Sequence, residues 1–212
     1  MIDQATEARV AAICSDSAYE FKAVDGCQLI WEHHEEGTSL GIYASIDFPG
    51  WFLLTFRGSE ELRDWLTNFN VWPRADRSSH RGYSRSWDDV IDDVMAQLNR
   101  LEIQHLTVTG HSMGGALASL AMNDLPWHAH LVTFGSPKVA SRSLATNIEE
   151  KVCKAWRYVF GGDLCVLYPF VGMSHIGEEV RIGPRRNFWR MLFRGPWDHD
   201  PKNYVQALIA EA

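Results

Sequence analysis

The pattern of hydrophobic positions predicts helices that alternate with strands along the chain. Apolar residues between 84 and 101 recur at spacings of three and four, which predicts an amphipathic helix. The run WFLLTF at 51–56 is apolar on both faces and predicts an inner strand that is covered on each side. Further strands are predicted at CQLIWEH, LGIYASI, HLTVTG, LVTFGS and AWRYVFGGD, and further helices at roughly 3–21, GGALASLAMNDL and ASRSLATNIEEK.

The order of these elements predicts the fold class. Strands that alternate with helices indicate an α/β fold with a mostly parallel central sheet and helices on both faces. We expect an antiparallel start at the N-terminal edge of the sheet, and active groups at the C-terminal ends of the strands. With 212 residues and no internal repeat or linker, the chain is predicted to form a single domain over residues 1–212.

The composition excludes some classes of function. Hydrophobic residues make up 46% and charged residues 22% of the chain, as is usual for globular proteins. The formal net charge of −7 argues against a nucleic-acid partner, because phosphate binding needs clustered lysine and arginine. No apolar stretch approaches the roughly 18 residues that a membrane-spanning helix needs, so no transmembrane segment is expected.

The N-terminal residues and the cysteines suggest a cellular compartment. The first twenty residues carry Asp3, Glu7 and Arg9 and lack the apolar run of a secretory leader. The four cysteines are widely spaced and show no CxxC pair, which favours free thiols in a reducing compartment. Together these features predict a cytoplasmic location, and the alternative is a phage product or a protein released by a non-classical route.

A strand and a helix are predicted on either side of Gly110-His111-Ser112-Met113-Gly114, which fits the pattern G-x-S-x-G. In this context the motif predicts a nucleophile elbow, a sharp turn that holds Ser112 in a strained backbone conformation above the sheet. Gly110 and Gly114 remove side chains that would collide across the turn. The alternative is a chance pentapeptide, and a serine hydroxyl is a weak nucleophile without a base. The motif therefore requires a histidine and a carboxylate nearby.

Several separate motifs follow one another in a recognisable order. They are LLTFRGSEELRDWLTNF, HRGYSRSW, LTVTGHSMGGALASL, LVTFGSPKVAS, WRYVFGGDLCVLYP, SHIGEE and DHDPKNYV. Over roughly residues 40–208, the chain resembles the class 3, or fungal-type, triacylglycerol lipases of the α/β-hydrolase fold. The resemblance implies a serine esterase or lipase that hydrolyses carboxylic esters of the acylglycerol type through an acyl-enzyme, with an ester or lipid substrate and no cofactor.

The acid of a Ser-acid-His triad is expected at Asp163. This residue follows the strand WRYVF, and a loop at the end of the sheet is where an orienting carboxylate belongs. In the family that the chain resembles, the aspartate opens a D-x-V-P-x-x-P stretch. Here the stretch is DLCVLYP, which keeps Pro169 but has Cys165 and Val166 where the family has Val and Pro. A solvated loop aspartate is the alternative for Asp163.

Two downstream histidines compete for the role of base. His199 lies in DHDPKNYV, where the family has its base ahead of a closing helix that contains a tyrosine. His175 lies in SHIGEE, which the family shares without using that histidine as the base. We choose His199 as the base for Ser112 and expect His175 to bond structurally beside the acid loop. Asp198 and Asp200 flank His199 and are expected to point elsewhere.

Two donors are predicted for an oxyanion hole. One is the backbone N–H of Met113, the residue after the nucleophile. The resemblance implies that the other comes from Ser59, at the end of the stretch RGS. Ser59 also suits the N-cap of a short helix, which is compatible with this role.

The segment SEELRDWLTNFNVW corresponds to the lid helix of the family. Leu62, Trp65, Leu66 and Phe69 recur at helical spacing and give the segment an apolar face. We interpret these four residues as lid candidates that cover the site. The alternative is that the face simply belongs to the core.

Two other features of the sequence bear on binding. The segment 181–197 has five arginines, several aromatic residues and no acid, which suits either transient contact with a lipid surface or a loop with a solvated rim. The histidines at His33-His34 and His128-x-His130 lack evident further ligands at the usual spacing, so no metal site is predicted.

Two rival functions remain open at the level of sequence. The triad fixes the reaction but not the head group, so a phospholipase or another acyl hydrolase is one alternative. A catalytically silent lipid- or protein-binding member of the fold is the other.

Overall fold

A computed structural model describes most of the chain. The described residues are 2–35, 38–58, 87–168, 172–184, 194–195 and 197–210.

A sheet of seven strands forms the centre of the described structure, and its strands lie side by side in the order β1 to β7. The first three strands pair antiparallel to one another, and β3 to β7 pair parallel. The predicted antiparallel start and mostly parallel sheet are therefore confirmed. The strands are β1 (Cys27–Glu35), β2 (Thr38–Ser45), β3 (Trp51–Phe56), β4 (His105–His111), β5 (His130–Phe134), β6 (Lys154–Phe160) and β7 (Glu178–Ile182).

Helices cover both faces of this sheet, as predicted. Successive strand residues point to opposite faces, so Leu54 and Phe56 of β3 lie in one core cluster and Leu53 lies in the other. Helices α2, α3 and α4 pack in the first cluster, and α1 and α5 pack in the second. The helices are α1 (Gln4–Ser17), α2 (Ile91–Leu98), α3 (Met113–Ala121), α4 (Arg142–Lys151) and α5 (Pro201–Ala210).

Local signals explain where some helices begin. The Asp3 side chain accepts a hydrogen bond from the Thr6 backbone N–H at 2.9 Å and caps α1. Of the helix predicted over 84–101, residues 84–86 lie outside the described residues; from residue 87 onward a turn at 89–90 interrupts it, and α2 then buries Val94 and Leu98 and ends at Leu98. In the part of the chain that the structure covers, no helix is long and apolar enough to cross a membrane.

The edge strand β7 was not predicted. Its sequence, EEVRI, has no apolar run, and only Ile182 is buried. A strand at the edge of a sheet has one partner and one open side, so charged residues suit it. Hydrophobic patterning did not predict this strand, because apolar residues mark strands that are buried, and hydrogen bonding to a neighbouring strand does not by itself require apolar residues.

Candidate active site

Ser112 lies on a sharp turn between β4 and α3. Its backbone has φ 59° and ψ −126°, and it is one of two non-glycine residues with positive φ in the described residues. Such a conformation costs about 1–3 kcal/mol and persists only where its surroundings hold it. The Ser112 N–H donates to the Phe134 carbonyl of β5 at 2.9 Å, which fixes the turn against the sheet.

The two glycines of the motif are required by close backbone contacts. A Cβ atom on Gly114 would lie 2.2 Å from the Phe56 carbonyl oxygen at the end of β3. A Cβ atom on Gly110 would lie 2.4 Å from the carbonyl carbon of Gly114 across the turn. Neither contact can be relieved by moving a flexible side chain, so this geometry admits only glycine at both positions.

The Asp163 carboxylate is buried in the loop after β6, with a relative exposure of 1%. Its Oδ1 accepts the Cys165 backbone N–H at 2.8 Å. Its Oδ2 accepts the Tyr204 hydroxyl at 2.5 Å and is 2.7 Å from His199 Nδ1. Because burial and the Asp163 charge raise the pKa of Tyr204 well above its usual value, that hydroxyl keeps its proton and serves as a donor.

His199 lies just before α5 and is buried against Asp163. Burial alone would lower the pKa of His199, but the Asp163 carboxylate outweighs burial and holds it well above its usual value. The same contact places a proton on Nδ1, which leaves Nε2 as the acceptor in the neutral ring. Among the described residues, His199 Nε2 and Ser112 Oγ are both buried and have no hydrogen-bond partner.

A second imidazole packs against the first. The ring centroids of His111 and His199 are 4.5 Å apart, and His111 Nδ1 is 2.8 Å from the Tyr19 hydroxyl of the segment after α1. Burial and the neighbouring His199 hold the pKa of His111 well below its usual value, so His111 stays neutral. Sequence reasoning missed the contact between His111 and His199, although His111 is one of the two variable residues of the serine motif.

The structure brings His199, and not His175, to Asp163. Burial, followed by the charges of Arg157 and Lys138, lowers the pKa of His175 to about 3. The same ring bonds the Val166 backbone of the loop after Asp163, which is the structural position expected for it.

The two aspartates beside His199 also point elsewhere. Asp198 Oδ2 accepts the Gly162 N–H at 2.8 Å, and Asp200 Oδ1 accepts the Lys202 N–H at 2.9 Å. Asp198 therefore ties the segment before His199 to the loop that carries the acid.

The remaining predicted site residues are placed as follows. Met113 is the first residue of α3, where backbone N–H groups point out of the helix end. Ser59, the lid candidates Leu62, Trp65, Leu66 and Phe69, and the loop residue Pro169 lie outside the described residues.

The fold is that of an α/β-hydrolase, as comparison with solved structures shows. A mono- and diacylglycerol lipase from Aspergillus oryzae superposes with a TM-score of 0.74 at 21% identity, covering 88% of this chain and 82% of that one. A lipase from Rhizopus microsporus var. chinensis superposes with a TM-score of 0.72 at 25% identity, covering 84% and 74%.

A family model then identifies the family within that fold. The model described as Lipase (class 3) matches residues 53–173, more than half of the chain. The chain belongs to the class 3 lipase family.

Characterised relatives match over part of their length. The secreted mono- and diacylglycerol lipase 1 of Fusarium solani is 29% identical over 178 residues, which are 77% of this chain and 50% of the relative. The secreted mono- and diacylglycerol lipase A of Penicillium cyclopium is 30% identical over 152 residues, 64% of this chain and 49% of the relative. The chain thus spans about half the length of these curated relatives.

These names contradict one prediction. The cytoplasmic location predicted from the first residues is wrong by this comparison, because relatives from Fusarium solani, Penicillium cyclopium and Malassezia restricta are named as secreted lipases. The composition of the first twenty residues is not a guide to the compartment here.

Proposed function

We propose that this protein is a serine hydrolase that cleaves carboxylic esters of the acylglycerol type through an acyl-enzyme. One observation carries the proposal: Asp163 Oδ2 is 2.7 Å from His199 Nδ1, in a site where Ser112 is held on a strained turn. Ser112 Oγ and His199 Nε2 are the two atoms that a triad would pair, and both are buried without another partner in the described part of the chain.

In the first half of the reaction, neutral His199 takes the Ser112 proton at Nε2 while Oγ attacks the ester carbonyl carbon. The carbonyl oxygen becomes an oxyanion, for which we assign the Met113 N–H and Ser59 as donors. One such donor is worth about 3–4 kcal/mol of transition-state stabilisation. The protonated His199 then gives its proton to the leaving alcohol, and the acyl group stays on Ser112.

In the second half, His199 takes a proton from water, whose oxygen attacks the acyl carbonyl. As the new tetrahedral intermediate collapses, the protonated His199 gives its proton to Ser112 Oγ, and the carboxylic acid is released. Asp163 holds the His199 ring in one tautomer through both halves and stabilises its positive charge. The hydrogen bonds from Tyr204 and Cys165 fix the carboxylate in place for this task.

The substrate class comes from the relatives and from the surface near the base. Mono- and diacylglycerol lipases are the named activities of the relatives from Fusarium and Penicillium, so we assign partial acylglycerols as substrates. The same names support an extracellular location. Trp197, two residues before His199, has a relative exposure of 64%, which favours transient contact with a lipid surface beside the site.

A labelling experiment tests the catalytic assignment. The wild-type protein should react with a fluorophosphonate and hydrolyse a p-nitrophenyl ester, and Ser112→Ala should lose both with an unchanged circular dichroism spectrum. Ser119→Ala is the matched control, because Ser119 is a buried serine of the same helix whose hydroxyl bonds the Gly115 carbonyl. It should keep labelling.

Histidine variants test the base. His199→Gln should reduce turnover by several orders of magnitude, whereas His175→Gln should not. If folded wild-type protein is not labelled, the protein is a silent member of the fold. If it hydrolyses phospholipid in preference to diacylglycerol, the substrate assignment is wrong and the reaction assignment stands.

A further inference from the structure

A second cluster of polar side chains lies at the N-terminal ends of the central strands, opposite to the end that carries Ser112. His105 is the first residue of β4 and His130 is the first residue of β5, so both rings lie at the N-terminal ends of parallel strands. Glu7, on helix α1, reaches between them and is buried, with a relative exposure of 1%. Because β4 has seven residues, the cluster lies about 20 Å from Ser112 along the strand.

The two histidine rings converge on the Glu7 carboxylate. Glu7 Oε1 is 3.0 Å from His105 Nε2, and Glu7 Oε2 is 2.8 Å from His130 Nδ1. One ligand atom from each residue can be chosen so that all three lie within 4.8 Å of one another. The two imidazole rings stand edge to face with centroids 4.4 Å apart.

The carboxylate also has the support that metal ligands usually have. The Thr107 hydroxyl donates to Glu7 Oε1 at 2.5 Å, and the Trp51 indole N–H donates to the Thr107 hydroxyl at 2.9 Å. Glu7 is therefore held in place by a chain of hydrogen bonds, which is how ligating carboxylates are typically oriented.

We propose that Glu7, His105 and His130 bind a divalent metal ion such as Zn²⁺, which fastens helix α1 to the N-terminal ends of β4 and β5. Two imidazole nitrogens and one carboxylate oxygen form a donor set that suits Zn²⁺, with bonds of about 2.0–2.2 Å. Three protein ligands leave a fourth coordination position for water. A cavity of about 870 Å³ adjoins the cluster, is lined by both histidines, and gives the ion and the water a route in.

Binding requires a shift of protons within the cluster. Each ring nitrogen that faces Glu7 must offer a lone pair, so the proton on that nitrogen moves to the other nitrogen of the same neutral ring. A protonated ring must instead release its proton to solvent. Zinc affinity should therefore fall at acid pH, as for other histidine sites.

The site is structural rather than catalytic, because its ligands join three elements far from Ser112. An ion that binds only the folded chain raises the unfolding temperature, and the rise grows with the logarithm of the ratio of free ion to Kd once the site is nearly full. At free zinc a hundredfold above Kd, we expect a rise of about 5–10 °C for a chain of this size. Ca²⁺ prefers more numerous oxygen ligands and should produce no shift at the same concentration.

The test uses the full chain after treatment with a chelator. Titration calorimetry and elemental analysis after desalting should give one Zn²⁺ per chain, with a matching rise in unfolding temperature. Protein labelled at the catalytic serine by a fluorophosphonate should bind zinc equally well, since the cluster is separate from the active site. Loss of the bound zinc on labelling would place the ion at the catalytic histidine and overturn the proposal.

Three variants locate the ion. His105→Gln and His130→Asn keep an N–H near the atom that bonds Glu7, so the metal-free fold should persist, but each should weaken zinc binding by more than the roughly 10- to 100-fold that loss of a supporting partner costs. His128→Gln is the matched control, an exposed histidine two residues from His130. It should bind zinc as the wild type does. Wild-type protein without a bound ion, or full binding by His105→Gln and His130→Asn, would refute the site.

Discussion

Replacing Tyr204 with phenylalanine removes one of three hydrogen bonds that hold the Asp163 carboxylate. The Tyr204 hydroxyl donates to Asp163 Oδ2 at 2.5 Å, beside the contacts from His199 Nδ1 at 2.7 Å and the Cys165 N–H at 2.8 Å. Tyr204 is 1% exposed, so water cannot replace the lost hydroxyl without a rearrangement of the core. The substitution keeps the ring and its packing, which isolates the hydrogen bond.

The size of the effect follows from the charge on the acceptor. A hydrogen bond to a charged group contributes about 1.5–3 kcal/mol, so the free energy of unfolding should fall by that amount. For a chain of 150–250 residues this corresponds to a melting temperature lower by roughly 3–12 °C. The carboxylate would also attract His199 more strongly, because one donor no longer shares its charge. The pKa of His199 should rise further, and the acid limb of kcat/KM against pH should move to higher pH.

Urea denaturation and pH-rate profiles of the two proteins measure these effects. Tyr43→Phe is the matched control, because Tyr43 is also buried and its hydroxyl has no charged hydrogen-bond partner among the residues that the structure describes. Tyr43→Phe should change the free energy of unfolding by less than about 1 kcal/mol. Equal losses in the two variants, or an acid limb that moves to lower pH in Tyr204→Phe, would refute the reasoning.

Two further predictions concern pH and packing. The raised pKa of His199 means that its pair with Asp163 stabilises the fold fully below the unfolded value of about 6.5, and that this stability is lost as pH rises through the folded pKa. Ester turnover should increase over the same range as His199 becomes neutral, and stability and turnover that rise together would contradict the assignment. Gly114→Ala places a Cβ atom 2.2 Å from the Phe56 carbonyl and should lower the free energy of unfolding by about 3 kcal/mol or more. Calorimetry that shows an unchanged melting temperature would rule out this contact.

Hydrophobic periodicity was enough to predict most of the sheet. Six of the seven strands lie where the sequence pattern placed them: β2 to β6 are inner strands, whose burial gives a strong apolar signal, and the edge strand β1 has apolar residues at alternate positions. The exception, β7, is an edge strand with charged residues, and pairing alone leaves no such signal. Within residues 87–101, which the structure describes, the predicted helix before β4 is interrupted by a turn at 89–90 and ends at Leu98, and the apolar spacing shows neither feature.

The candidate site was predictable where a motif fixed the residue. The serine motif and the order of acid and base pointed to residues that the structure brings into one region, with Asp163 and His199 in contact. Their catalytic roles stay predictions that the labelling experiment tests. The contact between His111 and Tyr19 joins residues about ninety positions apart and has no local signal.

The cluster around Glu7 could not be predicted from the local spacing of histidines in the sequence. The sequence pattern pairs His130 with its neighbour His128, but His128 is exposed and takes no part in the cluster. Its partners Glu7 and His105 lie 123 and 25 positions earlier in the chain, and only the pairing of β4 with β5 and the packing of α1 bring the three together. Residues so far apart in the sequence form no local motif, so the site can be recognised only once the folded structure brings them together.

The consecutive order of the seven strands bears on how the chain assembles during synthesis. Each new strand pairs with the strand made just before it, so the sheet can grow from β1 to β7 without inserting a strand between two that have already paired. Helix α1 is made before the sheet, yet it packs against α5, which is made after the sheet. The nascent polypeptide therefore contains Ser112 long before His199, and the proposed triad can assemble only when α5 docks.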